Sequence, residues 1–98
     1  MSFANALEKD RRLRVLQHLA MVTDNSSNAE ILLDVLNGLR ITTNRDRIIS
    51  TLTWLREAGM VTIEDHDSFL VVEATPRGVD VALGRDRHPG VRRPAPQG

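Results

Sequence analysis

The residues best placed to do chemistry lie in the run Thr42-Thr43-Asn44-Arg45-Asp46-Arg47-Ile48-Ile49-Ser50-Thr51. An Arg fork matches the two acceptors on the guanine edge, and an Asn side chain matches the donor and acceptor of adenine, so this mixture suits a DNA major groove. A helix starting near Thr43 or Asn44 would carry Asn44, Arg45, Arg47, Ser50 and Thr51 toward base edges, leaving Thr42 and Thr43 for phosphate. Asp46 offsets part of the positive charge. The competing reading is an ordinary solvated helix face.

A second basic group, Arg85, Arg87, Arg92 and Arg93, lies in residues 85–98, among three prolines and two glycines without periodicity. That composition predicts a flexible or polyproline-like tail. Its arginines could track phosphates or enter a minor groove as flexible arms do. They could equally dock on an acidic partner, including Glu64, Asp65 and Asp67 of another copy, or serve only to solubilise. Other chemistries find little support. Cysteine is absent, which excludes disulfides, a thiol nucleophile and cysteine-ligated zinc. Asp65, His66 and Asp67 are neighbours on one turn, and adjacent residues rarely enclose a metal without remote ligands. No serine, histidine and acid form a nucleophilic arrangement, and no glycine-rich phosphate loop follows a strand. No enzyme activity, metal or cofactor is expected.

The elements that must position these residues follow from periodicity. A first helix is predicted from about residue 4 or 10 to 21, with Leu13, Leu16, Leu19 and Ala20 inward and Glu8–Arg12 and Asp10–Arg14 as i,i+4 pairs. The polar stretch 23–28 interrupts it. Ser27 and Glu30 have capping-box spacing for a second helix, with Ile31, Leu32, Val35, Leu36 and Leu39 as its stripe and Gly38 at its close. Ile41 could anchor a brief strand. In the third helix Ile48, Leu52 and Leu55 face the core, and Gly59 ends it. Trp54, at the edge of the exposed side, is expected to pack against Phe69, or with Phe69 and Val71 to form a dimer contact. Residues 60–64 and 69–75 alternate as strands of a hairpin with Asp65-His66-Asp67-Ser68 at its turn. Thr75 and Pro76 start a short last helix, with Val79, Ala82 and Leu83 inward.

Bulk properties agree with one small domain over residues 1–84 and a tail over 85–98. Hydrophobic residues make up 41% and aromatics 3%, so the core must be built from Leu, Ile and Val. No apolar run approaches the roughly 20 residues of a membrane span, and the N-terminus lacks an export signal, so a cytoplasmic protein is expected. Thirteen basic and thirteen acidic side chains cancel, a thin footprint for nucleic acid. The cancellation is between blocks: residues 60–74 carry only acids, residues 75–98 five Arg against two Asp.

The order of elements, the run Asn44-Arg45-Asp46-Arg47-Ile48…Leu52…Leu55-Arg56-Glu57-Ala58-Gly59-Met60-Val61 and the later Ala74-Thr75-Pro76-Arg77-Gly78 resemble winged-helix proteins of the ArsR and MarR type. The whole chain, including Pro89-Gly90-Val91-Arg92-Arg93-Pro94, also resembles small proteins of Mu-like phages and prophages. The resemblance implies an α+β winged helix-turn-helix: a three-helix core, a two-stranded wing and a short C-terminal helix. It also implies a DNA-binding phage regulator in the host cytoplasm, with double-stranded DNA as partner and a homodimer as the working form. The chain departs from that pattern at the wing tip, where acids replace the usual Arg or Lys. The alternative is a winged helix that binds a protein partner, a phage adaptor.

Overall fold

The structure is a computed structural model and describes residues 2–95. The first helix, α1, runs Phe3–Met21, and Ser2 caps it by accepting a hydrogen bond from the Asn5 amide at 3.1 Å. It therefore starts at the earlier of the two expected positions. Leu13, Val15, Leu16 and Leu19 are all buried. Adding Val15 to the expected stripe widens the buried face, because α1 is covered on more than one side.

The polar stretch after α1 is more ordered than its composition suggests. Asp24 and Asn25 take positive φ values of 59° and 54°, a conformation Asp and Asn tolerate better than most residues. The turned chain enters a short strand, β1 (Ser26–Asn28). Asn28, and not Ser27, then caps α2 (Ala29–Gly38) by accepting from the Ile31 amide. Ser27 lies one residue too early: the helix begins at Ala29, directly after Asn28, so the cap falls to Asn28 even though both residues pair in the sheet.

The end of α2 also differs from expectation. Gly38 is helical, and the left-handed residue is Arg40 at φ 65°. Ile41 forms no strand; it is buried, and its amide donates to the Leu36 carbonyl at 2.9 Å. α3 (Arg45–Glu57) follows, with Ile48, Leu52 and Leu55 buried as their i, i+4, i+7 spacing requires. Gly59, at φ 78°, reverses the chain, and the Gly59 and Met60 amides satisfy the last helical carbonyls, those of Arg56 and Leu55.

β2 (Val61–Asp65) and β3 (Leu70–Ala74) form the hairpin, in antiparallel register with Ile63 opposite Val72. β3 lies at the centre of a three-stranded sheet in the order β1-β3-β2, so the expected two-stranded wing is braced by a third strand. Thr75 caps α4 (Pro76–Ala82) through the Gly78 amide and donates its own hydroxyl to the Gly59 carbonyl at 2.8 Å. Val81 and Ala82 are buried and Val79 is half-buried, but Leu83 points outward, 52% exposed. Four helices and a three-stranded antiparallel sheet make an α+β fold compatible with a winged helix-turn-helix.

Residues 85–95 are not the free arm that their composition predicts. Gly84, at φ 80°, turns the chain back, and the Arg92 amide donates to the Lys9 carbonyl of α1 at 3.2 Å. Val91 is buried in the core cluster. The Arg12 side chain donates to the Gly90 carbonyl at 2.9 Å, and Arg92 pairs with Asp10 at 3.1 Å. One apolar anchor, three α1 contacts and stiff proline-containing backbone offset the loss of chain entropy.

Trp54 is the other side of this seal. Its ring meets His88 edge-on with centroids 5.1 Å apart, and the Arg12 guanidinium sits 3.9 Å from the ring centre. Trp54 is thus covered within the chain, but by the tail and α1 and not by Phe69. Phe69 stacks on His66 at the hairpin tip instead, at 5.3 Å and 13°. Arg12 is drawn away from the expected pairing with Glu8. Burial pulls its guanidinium below the ordinary arginine value, a shift opposed by the nearby Glu8 charge. Its Nε is buried with no partner among the described residues.

Candidate nucleic-acid interface

The candidate face is built on the N-terminal end of α3 and the link that precedes it. The link is rigidly held. The Asn37 side chain accepts from the Thr43 amide at 2.9 Å and donates to the Thr43 carbonyl at 3.0 Å, which satisfies both backbone groups from one residue. From α1, the Arg11 Nε donates to the Thr43 hydroxyl at 3.1 Å, and another guanidinium nitrogen donates to the Thr42 carbonyl at 3.1 Å. Arg11 also meets Glu8 at 3.3 Å, and the Thr51 hydroxyl donates to the Glu8 carboxylate at 3.1 Å. This network joins α1, the turn and α3, and Arg11 is almost wholly buried within it.

That network removes two of the expected contact residues. Thr43 is buried, its hydroxyl donating to the Ile41 carbonyl and accepting from Arg11. Thr51 is buried against Glu8. Neither side chain can reach a nucleic acid while those bonds stand. The correction has a physical cause: Arg11 and Asn37 hold Thr43 inward, and Thr51 lies on the buried stripe of α3 with Ile48, Leu52 and Leu55.

The remaining candidates stay exposed at the start of α3 and on the link before it. Thr42, Asn44, Arg45, Arg47 and Ser50 are all exposed. Asn44 is committed in part, since its side-chain oxygen caps α3 by accepting from the Arg47 amide at 2.8 Å. Arg45 forms an ion pair with Glu30 on α2. Arg47 has no carboxylate within ion-pair distance among the described residues, so its fork is free. Arg40 joins it: exposed, on the turn, and unpaired among the described residues. The sequence reading missed Arg40 because nothing local marks a turn arginine as part of a helix face.

The tail arginines are held against the body of the fold. Arg92 is tied to Asp10 and Arg85 lies 3.8 Å from Asp80, while Arg87 and Arg93 are exposed without a carboxylate partner among the described residues. The four therefore sit on a docked segment and not on a mobile arm. The hairpin tip carries Glu64, Asp65 and Asp67, all exposed, with Glu64 3.1 Å from His66. Among the described residues no group of three potential ligands is placed to hold a metal, and no helix is long and apolar enough to cross a membrane.

Fold and face together define a small α+β domain in which two helices, joined by a pinned link, present the start of the second to solvent. Compared with known proteins, the chain is 43% identical over 91 residues to "Uncharacterized protein gp26" of Escherichia phage Mu, covering 93% of this chain and 94% of that protein. The chain belongs to the family of this Mu phage protein. No family model and no solved structure matches it.

Proposed function

We propose that this member of a phage protein family is a winged-helix DNA-binding protein that acts as a transcriptional regulator on double-stranded DNA, as a homodimer. One observation carries the reading: Arg47, Ser50 and the exposed edge of Asn44 project together from the start of α3, beyond a link immobilised by Arg11 and Asn37. A recognition helix needs that arrangement, because base readout depends on a fixed approach. In this reading Arg47 and Asn44 meet base edges, and Arg40, Arg45 and Thr42 meet phosphate. The acidic hairpin stays off the DNA.

The test is a titration with random and phage-derived duplexes at several salt concentrations. Retention should fall steeply with salt, since each phosphate contact releases about one counterion. Arg40→Ala should weaken binding evenly across sequences and lower the salt slope by about one, while Arg47→Ala should cost about 1–3 kcal/mol on the preferred duplex. No retention at low salt would refute the reading.

A second reading, a winged helix that binds a protein partner, is favoured by the separated charge blocks and by exposed apolar side chains away from α3, among them Leu39 and Leu83. It predicts no retention of either duplex.

A further inference from the structure

A groove of about 1060 Å³ runs between the C-terminal half of α1, the ends of α2 and α4, and the docked segment 85–95. Three of the large exposed apolar side chains converge on it: Met21 at 79%, Leu39 at 50% and Leu83 at 52% exposure. Single exposed apolar residues are ordinary on protein surfaces, but a contiguous set around one depression marks a contact surface. The rim is basic. Arg87 and Arg93 line the groove with no carboxylate partner among the described residues, and Arg85 adds a third charge only loosely held by Asp80.

The complementary surface is on the same molecule. At the β2–β3 turn, Phe69 is 43% exposed and stacks flat on His66, and Asp65 and Asp67 flank this slab with no cationic partner among the described residues. An apolar slab bordered by acids matches an apolar groove bordered by arginines in both respects. No residue of the hairpin lines the groove, so a chain does not fill its own.

We propose that the groove receives the hairpin tip of a second copy of this chain. Phe69 and His66 of one copy would rest on Met21, Leu39 and Leu83 of the other, while Asp65 and Asp67 meet Arg87 and Arg93. Two different patches are joined: where two copies exchange tips the contact is isologous and closes as a pair, and where they do not it runs head to tail. The proposal is independent of DNA binding. It accounts for acids at the hairpin tip: they face another copy and not phosphate.

The test uses the full chain without DNA, in sedimentation velocity across protein concentrations. Association should raise the mass from 11.0 kDa to at least twice that value. It should fade between about 0.01 M and about 1 M salt, as the screening length drops from about 30 Å to about 3 Å. Asp65→Arg with Asp67→Arg should leave a monomer, and so should Arg87→Asp with Arg93→Asp. All four positions are exposed, so each variant should keep the helical circular dichroism of the parent. Mixing the two variants should restore association, because each supplies the intact half that the other lacks. A parent that stays monomeric at low salt would overturn the proposal and leave the groove to a different partner. Association that survives both variants, or a mixture that stays monomeric, would overturn it as well. A monomeric parent would also remove the homodimer from the function proposed above, while retention of duplex is read separately and tests DNA binding alone.

Discussion

Arg11→Met is the substitution with the most to say about how the candidate face is held. The Arg11 side chain is 6% exposed and reaches Glu8, the Thr43 hydroxyl and the Thr42 carbonyl at 3.3, 3.1 and 3.1 Å. Met fills most of the stem volume and removes every one of these bonds. Hydrogen bonds to a charged group contribute about 1.5–3 kcal/mol. Stripping one partner from a buried ion pair costs about 3–5 kcal/mol. Glu8 is 16% exposed and keeps the Thr51 hydroxyl, so the low end applies, and about 3 kcal/mol is expected. At about 4–8 °C per kcal/mol for a domain of this size, the midpoint should fall by roughly 12–24 °C. Urea unfolding of the parent, Arg11→Met, Glu8→Gln and the double variant would measure the pair directly. The double variant should lose about 1–2 kcal/mol less than the sum of the singles. A single-variant loss under about 1 kcal/mol, or simple additivity, would mean the pair behaves like a solvent-screened surface contact and would refute the account of the pinned link.

Two glycines give further tests. A Cβ on Gly78 would overlap the Met60 carbonyl oxygen, so Gly78→Ala should lower stability by at least about 1–3 kcal/mol in the same urea assay, as overpacking against backbone does. A Cβ on Gly90 would run into the Trp54 ring, so Gly90→Ala should unseat residues 88–91, shifting the emission of this single tryptophan to the red while the helical signal holds. An unchanged spectrum would count against the seal.

The main chain of this fold was legible wherever apolar spacing alone decides the outcome. Ile48, Leu52 and Leu55 face the core, residues 60–64 and 69–75 supply the two hairpin strands, and Thr75 with Pro76 opens α4, all as read. What escaped reading depends on partners far away in sequence. β1 contains only Ser26, Ser27 and Asn28, with no apolar residue to announce a strand; it exists because β3 offers a free edge. Thr51 sits beside Ser50 and has similar chemistry, yet it is buried: it completes the i, i+3, i+4, i+7 stripe of Ile48, Leu52 and Leu55, and Glu8, 43 positions earlier, accepts from its hydroxyl. Residues 85–98 read as a flexible or polyproline-like tail because the one core residue there, Val91, is surrounded by charge and proline. Of the seven helix-side candidates five stay exposed; the spacing of Thr51 from Ile48 already placed it on the buried stripe, whereas the bonds that bury Thr43 come from Arg11 and Asn37 and leave no local mark.

The bond from the Arg92 amide to the Lys9 carbonyl ties together positions that enclose nearly all of the sheet and helices. Such a tie is set late, once the distant parts it bridges are already in place. Few apolar groups hold it, so it can loosen on its own without melting the core. Each loosening would bare Trp54 and lift the Val91 side of the arginine-rimmed groove, so the breathing of one short strap governs two surfaces at once.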